Sequence, residues 1–331
     1  MGIGFVLSAA TVYVVEIAST DMRGVLGCMI QFLGTIGILY TFCLGAVLNW
    51  YWLALSNFVF IPPVLIGMTF VPESPRWLIL RGRQQDALES LRWLRGRNVE
   101  ESIAKEMGQI KLDLEKERQG KASVKDLLPF WKPFLNSLLL MFLMQFCGMG
   151  VLLYYTGVIF EQARSTIDSR ISFILVGVAL VFSCVCSVII VPRFSRRALM
   201  LGSLFGMSVL TTVLGTSLYF IEQTPRDQEL GPGLGWLPLA TVLVFLVVGN
   251  AGFGTLIWVI SAELLPPKVR TLGNSIAICF SFLMGFVVCK TFVNMVALIN
   301  NSGAFWLYAG INLVGGIILY FTLPETGDKS T

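Results

Sequence analysis

The sequence predicts an all-α membrane protein: a bundle of spanning helices interrupted once by a charged, water-facing segment. Three observations predict it. The 331 residues are 55% hydrophobic and 13% charged, about half the charge of an ordinary soluble domain. The apolar residues gather into nine runs, roughly 2–18, 25–48, 51–71, 134–158, 171–192, 198–221, 237–261, 269–295 and 304–323, most near the ~20 residues that cross a bilayer. Charge is concentrated in one stretch, 73–133. Helices are the open-chain solution in lipid, because each backbone N–H and C=O must be paired within its own segment.

In chain order, the first run is short for a span, and Met1 is followed at once by apolar residues with no basic leader region. The third run ends at Pro72-Glu73-Ser74-Pro75-Arg76-Trp77-Leu78. Prolines on both sides of Glu73-Ser74 stiffen the backbone there, and a helix can start at Arg76. Beyond it Leu88, Leu91, Leu94, Ile103, Met107, Ile110 and Leu114 recur at helical spacing, which predicts two or three amphipathic helices over 78–125. The expected organisation is 1–72 as three membrane helices, 73–133 as a cytoplasmic linker, 134–323 as six further helices and 324–331 as a tail.

Lys and Arg set the orientation. With 73–133 on the cytoplasmic side the loops alternate, and of 24 basic residues only Arg164, Arg170, Arg226 and Lys290 fall outside. The C-terminus is then cytoplasmic. A net charge of +4, unevenly placed, gives no basic surface for nucleic acid. The seven cysteines all lie in apolar runs and none forms a CxxC pair, so they read as small buried hydrophobes. With no histidine, His-based catalysis and His metal sites are excluded. No nucleophile motif, phosphate-binding glycine loop or paired intramembrane carboxylates occur; neither enzymatic activity, cofactor nor metal is expected.

An internal repeat organises the chain. Glu16-Ile17 followed by Arg23 recurs as Glu263-Leu264 followed by Arg270, and Val71-Pro72-Glu73-Ser74 recurs as Leu323-Pro324-Glu325-Thr326. The second copy has three more apolar runs before its Glu/Arg pair than the first. The chain thus reads as the last three helices of one six-helix repeat and all six of the next, with three helices expected to precede it in a longer parent.

Glu16 and Glu263 sit near cytoplasmic helix ends, where a carboxylate is costly unless paired. With Arg23, Glu73, Arg76, Arg193, Arg196, Arg197, Arg270 and Glu325 they form a candidate ion-pair network between helices. Such a network can switch, because pairs formed in one conformer break in another; the alternative is that these residues mark orientation and snorkel to the interface. Gln31 and Gln145 are amides inside apolar runs, able to donate to and accept from a solute's hydroxyls or to join neighbouring helices. Trp258, within Gly252-Phe253-Gly254-Thr255-Leu256-Ile257-Trp258, is a candidate stacking contact, and Tyr154 and Tyr155 add candidate hydroxyl contacts. Asn300-Asn301-Ser302 fits a glycosylation sequon in a loop too short to favour modification.

These motifs together resemble the sugar porters of the major facilitator superfamily, and among them the insect facilitated trehalose transporters. The residues that carry the resemblance are Glu16 with Arg23-Gly24-Val25-Leu26-Gly27, Gln31, Pro72 to Arg76, Tyr154-Tyr155 with Ile159-Phe160, Arg193 with Arg196-Arg197, Glu263 with Arg270, and Pro324-Glu325-Thr326. The resemblance implies two helical bundles, about nine of twelve transmembrane helices being present here, joined by intracellular helices. It implies a sugar as partner, plasma-membrane location, and alternating access in which the Glu/Arg network latches the cytoplasmic side. On that reading a chain without its first three helices transports poorly. The chain departs from the family where sugar is bound: Met144, Gly150, Leu180, Ser281 and Gly285 stand at positions that are usually polar, and Gly252-Phe253-Gly254-Thr255 replaces a Gly-Pro-Gly-Pro stretch. A carrier of a less polar solute, or a non-transporting sensor that binds a partner through 78–125, are the alternatives.

Overall fold

In a computed structural model of the chain, the structure describes residues 10, 13–14, 16–18, 23–96, 100–119, 124–162, 168–225, 233–266 and 269–323. All the regular elements among them are helical. Helices α1 (Arg23–Gly45), α2 (Trp50–Phe58) and α3 (Ile61–Phe70) are followed by α4 (Pro75–Leu80), α5 (Gln84–Arg95) and α6 (Glu100–Gln119). A 3₁₀ turn at Val124–Phe130 leads to α7 (Trp131–Phe146), α8 (Met149–Gln162), α9 (Ser169–Ile190), α10 (Arg196–Gln223) and α11 (Leu237–Gly249). A π-helical turn at Asn250–Gly254 precedes α12 (Thr255–Glu263), and α13 runs Arg270–Thr322.

Six of these stretches are long and apolar enough to cross a membrane: Trp50–Phe70, Lys125–Glu161, Arg170–Arg193, Arg196–Gln223, Leu237–Ser261 and Arg270–Thr322; Gln31–Gly45 is apolar but shorter. The 53 residues of α13 would extend about 80 Å if straight, far more than a ~30 Å hydrocarbon core. Asn300, with φ 60° and ψ 174°, breaks it, so α13 is two crossings with almost no loop. This is how the separate runs 269–295 and 304–323 are realised. The run 2–18 lies largely outside the described residues.

Contacts divide the chain into two compact units: Met1–Gly34 with Leu48–Lys121, and Thr35–Val47 with Ala122–Thr331. In the first, Ser74 caps α4 by accepting from the Trp77 amide at 3.3 Å, as a serine before a Pro-led helix should. The amphipathic pattern beyond it produces α5 and α6, which bury Leu91, Ile103 and Leu114. Arg95 bridges to Glu106 across them (2.7 Å), and Ser90 Oγ donates to the Glu73 carbonyl at 2.7 Å. Three helices thus fill the segment for which two or three were expected.

The second unit is a helical bundle. Its core joins α7, α10, α11, α12 and α13 through Leu140, Met200, Met207, Phe245, Ile257 and Phe305, among others. Ser195 and Asp168 cap α10 and α9 with their side-chain oxygens. Two glycines matter to the backbone path. Gly148 has φ 92°, a conformation glycine adopts without steric cost, and it separates α7 from α8. At Gly252 a Cβ would lie 2.5 Å from the Leu199 carbonyl oxygen and 2.7 Å from Ser203 Oγ. Only a glycine lets the π turn lie this close to α10. Ser203 Oγ accepts there from the Phe253 amide at 2.8 Å and donates to the Met200 carbonyl.

Candidate functional site

The break at Gly148 exposes a backbone carbonyl that a continuous helix would have used. Asn312, fully buried on the second crossing of α13, donates Nδ2 to that Cys147 carbonyl at 3.1 Å. Its own Oδ1 is a buried acceptor with no hydrogen-bond partner among the described residues. One turn earlier, Tyr308 packs its ring against Gly148. On the α7 side of the break, Gln145 Nε2 donates to Ser281 Oγ at 2.9 Å. On the α8 side, Tyr155 donates to the Cys289 carbonyl at 3.0 Å and tilts against Phe292, with centroids 4.8 Å apart. Ser281, Cys289 and Phe292 all lie on the first crossing of α13.

A polar seam therefore runs through the apolar bundle along α7, α8 and both crossings of α13. Gln145 is its most versatile member. One N–H is used by Ser281, which leaves a second N–H and the carbonyl oxygen. The oxygen faces Gly285, where a Cβ would lie 3.0 Å away; Gly150 has open space where a side chain would stand. The missing side chain at Gly285 keeps the amide uncrowded.

The other expected contacts fall differently. Tyr154 is 76% exposed; the adjacent Tyr155 is the tyrosine that joins the seam. Helical geometry puts the two about 100° apart, so one sequence position decides which hydroxyl turns inward. Trp258 is exposed on α12, beside the packed face formed by Phe253, Leu256, Ile257 and Ile260. Gln31 is exposed on α1.

The charged residues make local contacts. Glu263 takes both carboxylate oxygens to Arg196 Nη1, at 2.6 and 2.8 Å. Its partner is thus Arg196 on α10; Arg270, seven residues on, donates Nε to the Leu265 carbonyl at 3.2 Å. Arg197 donates to the Tyr320 carbonyl at 2.6 Å and lies 5.7 Å over the Tyr320 ring, tying α10 to the end of α13. In the first unit Glu16 accepts from Ser74 Oγ at 2.5 Å, and Tyr13 donates to the Pro72 carbonyl at 2.7 Å. Glu73 and Arg193 are exposed, and Arg76 is half-buried. Glu325 and the side chain of Arg23 lie outside the described residues.

Asn312 and Ser281 are absent from the sequence-based set of contacts, whereas Tyr155 belongs to the Tyr154-Tyr155 pair that the sequence offered for its hydroxyls. Asn312 carried the same signal as Gln31 and Gln145, a lone amide in an apolar run, and was findable on that ground. Ser281 was not, since hydroxyls also bond their own helix and carry little positional information.

The sugar (and other) transporter family matches residues 1–331. The chain is 36% identical over 331 residues to the facilitated trehalose transporter Tret1 of Anopheles gambiae, covering 99% of this chain and 41% of that protein. It is 34% identical to Tret1 of Polypedilum vanderplanki over 99% of this chain and 65% of that one. The chain thus spans between about two fifths and two thirds of the length of these curated relatives. Among solved structures, the inward-open xylose transporter XylE from E. coli superposes with a TM-score of 0.77 at 24% identity, over 97% of this chain and 66% of XylE. The chain belongs to the sugar (and other) transporter family, and it is a multi-pass membrane protein with the all-helical fold of the major facilitator superfamily.

Proposed function

We propose that this protein carries a sugar across the plasma membrane by alternating access, with a cytoplasmic C-terminus and without a chemical step. The observation that carries the reading is the Gln145 amide, steadied by Ser281 at 2.9 Å and uncrowded beside Gly285. An amide that keeps a donor and an acceptor, set in an otherwise apolar wall, suits a polyhydroxylated solute: each direct hydrogen bond offsets the desolvation of one hydroxyl. The curated relatives are trehalose transporters, which makes a disaccharide the first substrate to try and a hexose the second. Gln31, Trp258 and Tyr154 are further candidate contacts. Glu16, Arg23, Glu73, Arg76, Arg193, Arg196, Arg197, Glu263, Arg270 and Glu325 form the proposed gate. No cofactor takes part.

The test is uptake of labelled trehalose and glucose into proteoliposomes carrying the complete gene product, wild type against Gln145→Leu. Loss of two hydroxyl contacts at about 1 kcal/mol each lowers uptake by roughly tenfold or more. Uptake indifferent to Gln145→Leu, or absent for every sugar offered, defeats the proposal.

A further inference from the structure

Within the second unit, α7 and the second crossing of α13 do not close against each other along their whole length. They leave a groove of about 370 Å³ whose walls include Phe142, Leu143, Leu307, Gly310, Val314 and Ile318. Every residue on its walls is apolar. The helices themselves are held together by Asn136 donating to the Thr322 carbonyl and by Asn312 donating to the Cys147 carbonyl, each at 3.1 Å. The groove is therefore a fixed feature of a packed helix pair. Gly310 deepens it: nothing lies within 4 Å of where its Cβ would be, whereas Gly315, also on the wall, is filled by Leu143.

We propose that this groove is a binding site for an anionic phospholipid, holding one acyl chain along α13 with the headgroup at Lys132. Four observations select this occupant. Both helices cross the membrane, so what meets an outward-facing apolar surface there is hydrocarbon. From Leu307 to Ile318 the groove runs about 16 Å at 1.5 Å per residue, close to the ~15 Å hydrocarbon depth of one leaflet. Its Leu139–Ile318 end points toward the start of α7, where Trp131 and Lys132 are exposed and the ammonium lies 5.7 Å from the indole ring. A Trp–Lys pair at a helix end is the sort of group that sits at headgroup level, the ring in the interface and the cation toward lipid phosphate. Sugar is a poor occupant, because no donor or acceptor side chain lines the walls.

The proposal is independent of the transported solute. It is tested with the complete gene product in nanodiscs containing a phosphatidylserine photo-crosslinker, its diazirine midway along one acyl chain, against the matching phosphatidylcholine probe. Digestion and mass spectrometry locate the adducts. The expected result is label concentrated on 139–143 and 307–318, exceeding that on the exposed face of α10 around Val209. It is reduced severalfold by Gly310→Leu, which adds a side chain where the groove is open. Lys132→Gln lowers the preference for phosphatidylserine over phosphatidylcholine by about fivefold, the value of one basic residue at a membrane surface. Both variants keep the wild-type thermal transition in detergent, which shows that each is folded. Label spread evenly over lipid-facing helices, or unchanged by Gly310→Leu in a folded protein, overturns the site. A phosphatidylserine preference that survives Lys132→Gln overturns the assignment of the headgroup.

Discussion

Reversing the charge at Glu263 separates what the Arg196 pair does for stability from what it does for conformation. The two side chains are 35% and 37% exposed, so solvent screens them. A pair of this kind contributes about 0.2–1 kcal/mol, despite the short 2.6 Å contact. Glu263→Lys replaces that attraction by a repulsion of similar size, a change of roughly 1–2 kcal/mol in whichever conformer contains the pair. Against a membrane bundle's total stability this is small. Against an equilibrium between two conformers it is a factor of about 5–30. The expected pattern is a thermal transition close to wild type for Glu263→Lys and for Arg196→Glu. Each shifts the labelling of a reporter cysteine placed on one face of the membrane, and each lowers sugar uptake several-fold. The double reversal, which restores opposite charges, recovers most of both. The double-mutant cycle isolates the pair from other effects of each substitution. If the single reversals leave labelling and uptake unchanged, or if the double variant is no better than the singles, Glu263 and Arg196 do not form a latch.

Four further outcomes follow from the geometry. Gly285→Ala puts a methyl 3.0 Å from Gln145 Oε1; it lowers uptake while the thermal transition moves little, and equal loss of both shows that position 285 is only packing. Asn312→Ala leaves the Cys147 carbonyl unpaired and a hole behind it, costing about 1–3 kcal/mol, whereas Asn312→Leu loses the same amide but fills the hole, so it costs less; the reverse order in thermal unfolding contradicts the close packing around the buried position 312. Gly252→Ala forces α10 and the π turn apart at Leu199 and costs about 1–3 kcal/mol by overpacking, with a wild-type melting temperature as the contrary result. Ser74→Ala removes both the α4 cap and the donor to Glu16, worth about 1 kcal/mol for the cap alone; hydrogen exchange at the start of α4 should accelerate, and unchanged protection there dismisses the cap.

Much of the fold is legible in the amino-acid sequence. Apolar run length locates the spans, because a bilayer imposes one thickness on every crossing. The Pro72–Pro75 signature locates the exit to water, and the period of Leu88 to Leu114 gives the amphipathic helices. What composition does not encode is where a long apolar run bends. The break at Gly148 and the π turn at Asn250–Gly254, each inside a single apolar run, depend on which backbone groups find partners across helices. Pairing is equally hidden. Spacing links Glu263 to Arg270, but Arg196 is 67 residues away in sequence and adjacent in space.

The candidate site divides the same way. That amides lie in apolar segments is a property of the sequence, and it requires each to find a partner or a solute, since an unpaired polar group in hydrocarbon is costly. Which partner it finds depends on helix rotation, and about 100° of rotation per residue separates the exposed Tyr154 from the seam-forming Tyr155. Sequence alone determined that this chain crosses a membrane many times and carries charges of both signs near the ends of its helices. The tertiary structure decided that Gln145 meets Ser281, that Asn312 meets the broken turn at Cys147, and that Glu263 meets Arg196. Burial depends on local composition, whereas these contacts depend on the packing of helices distant in the chain.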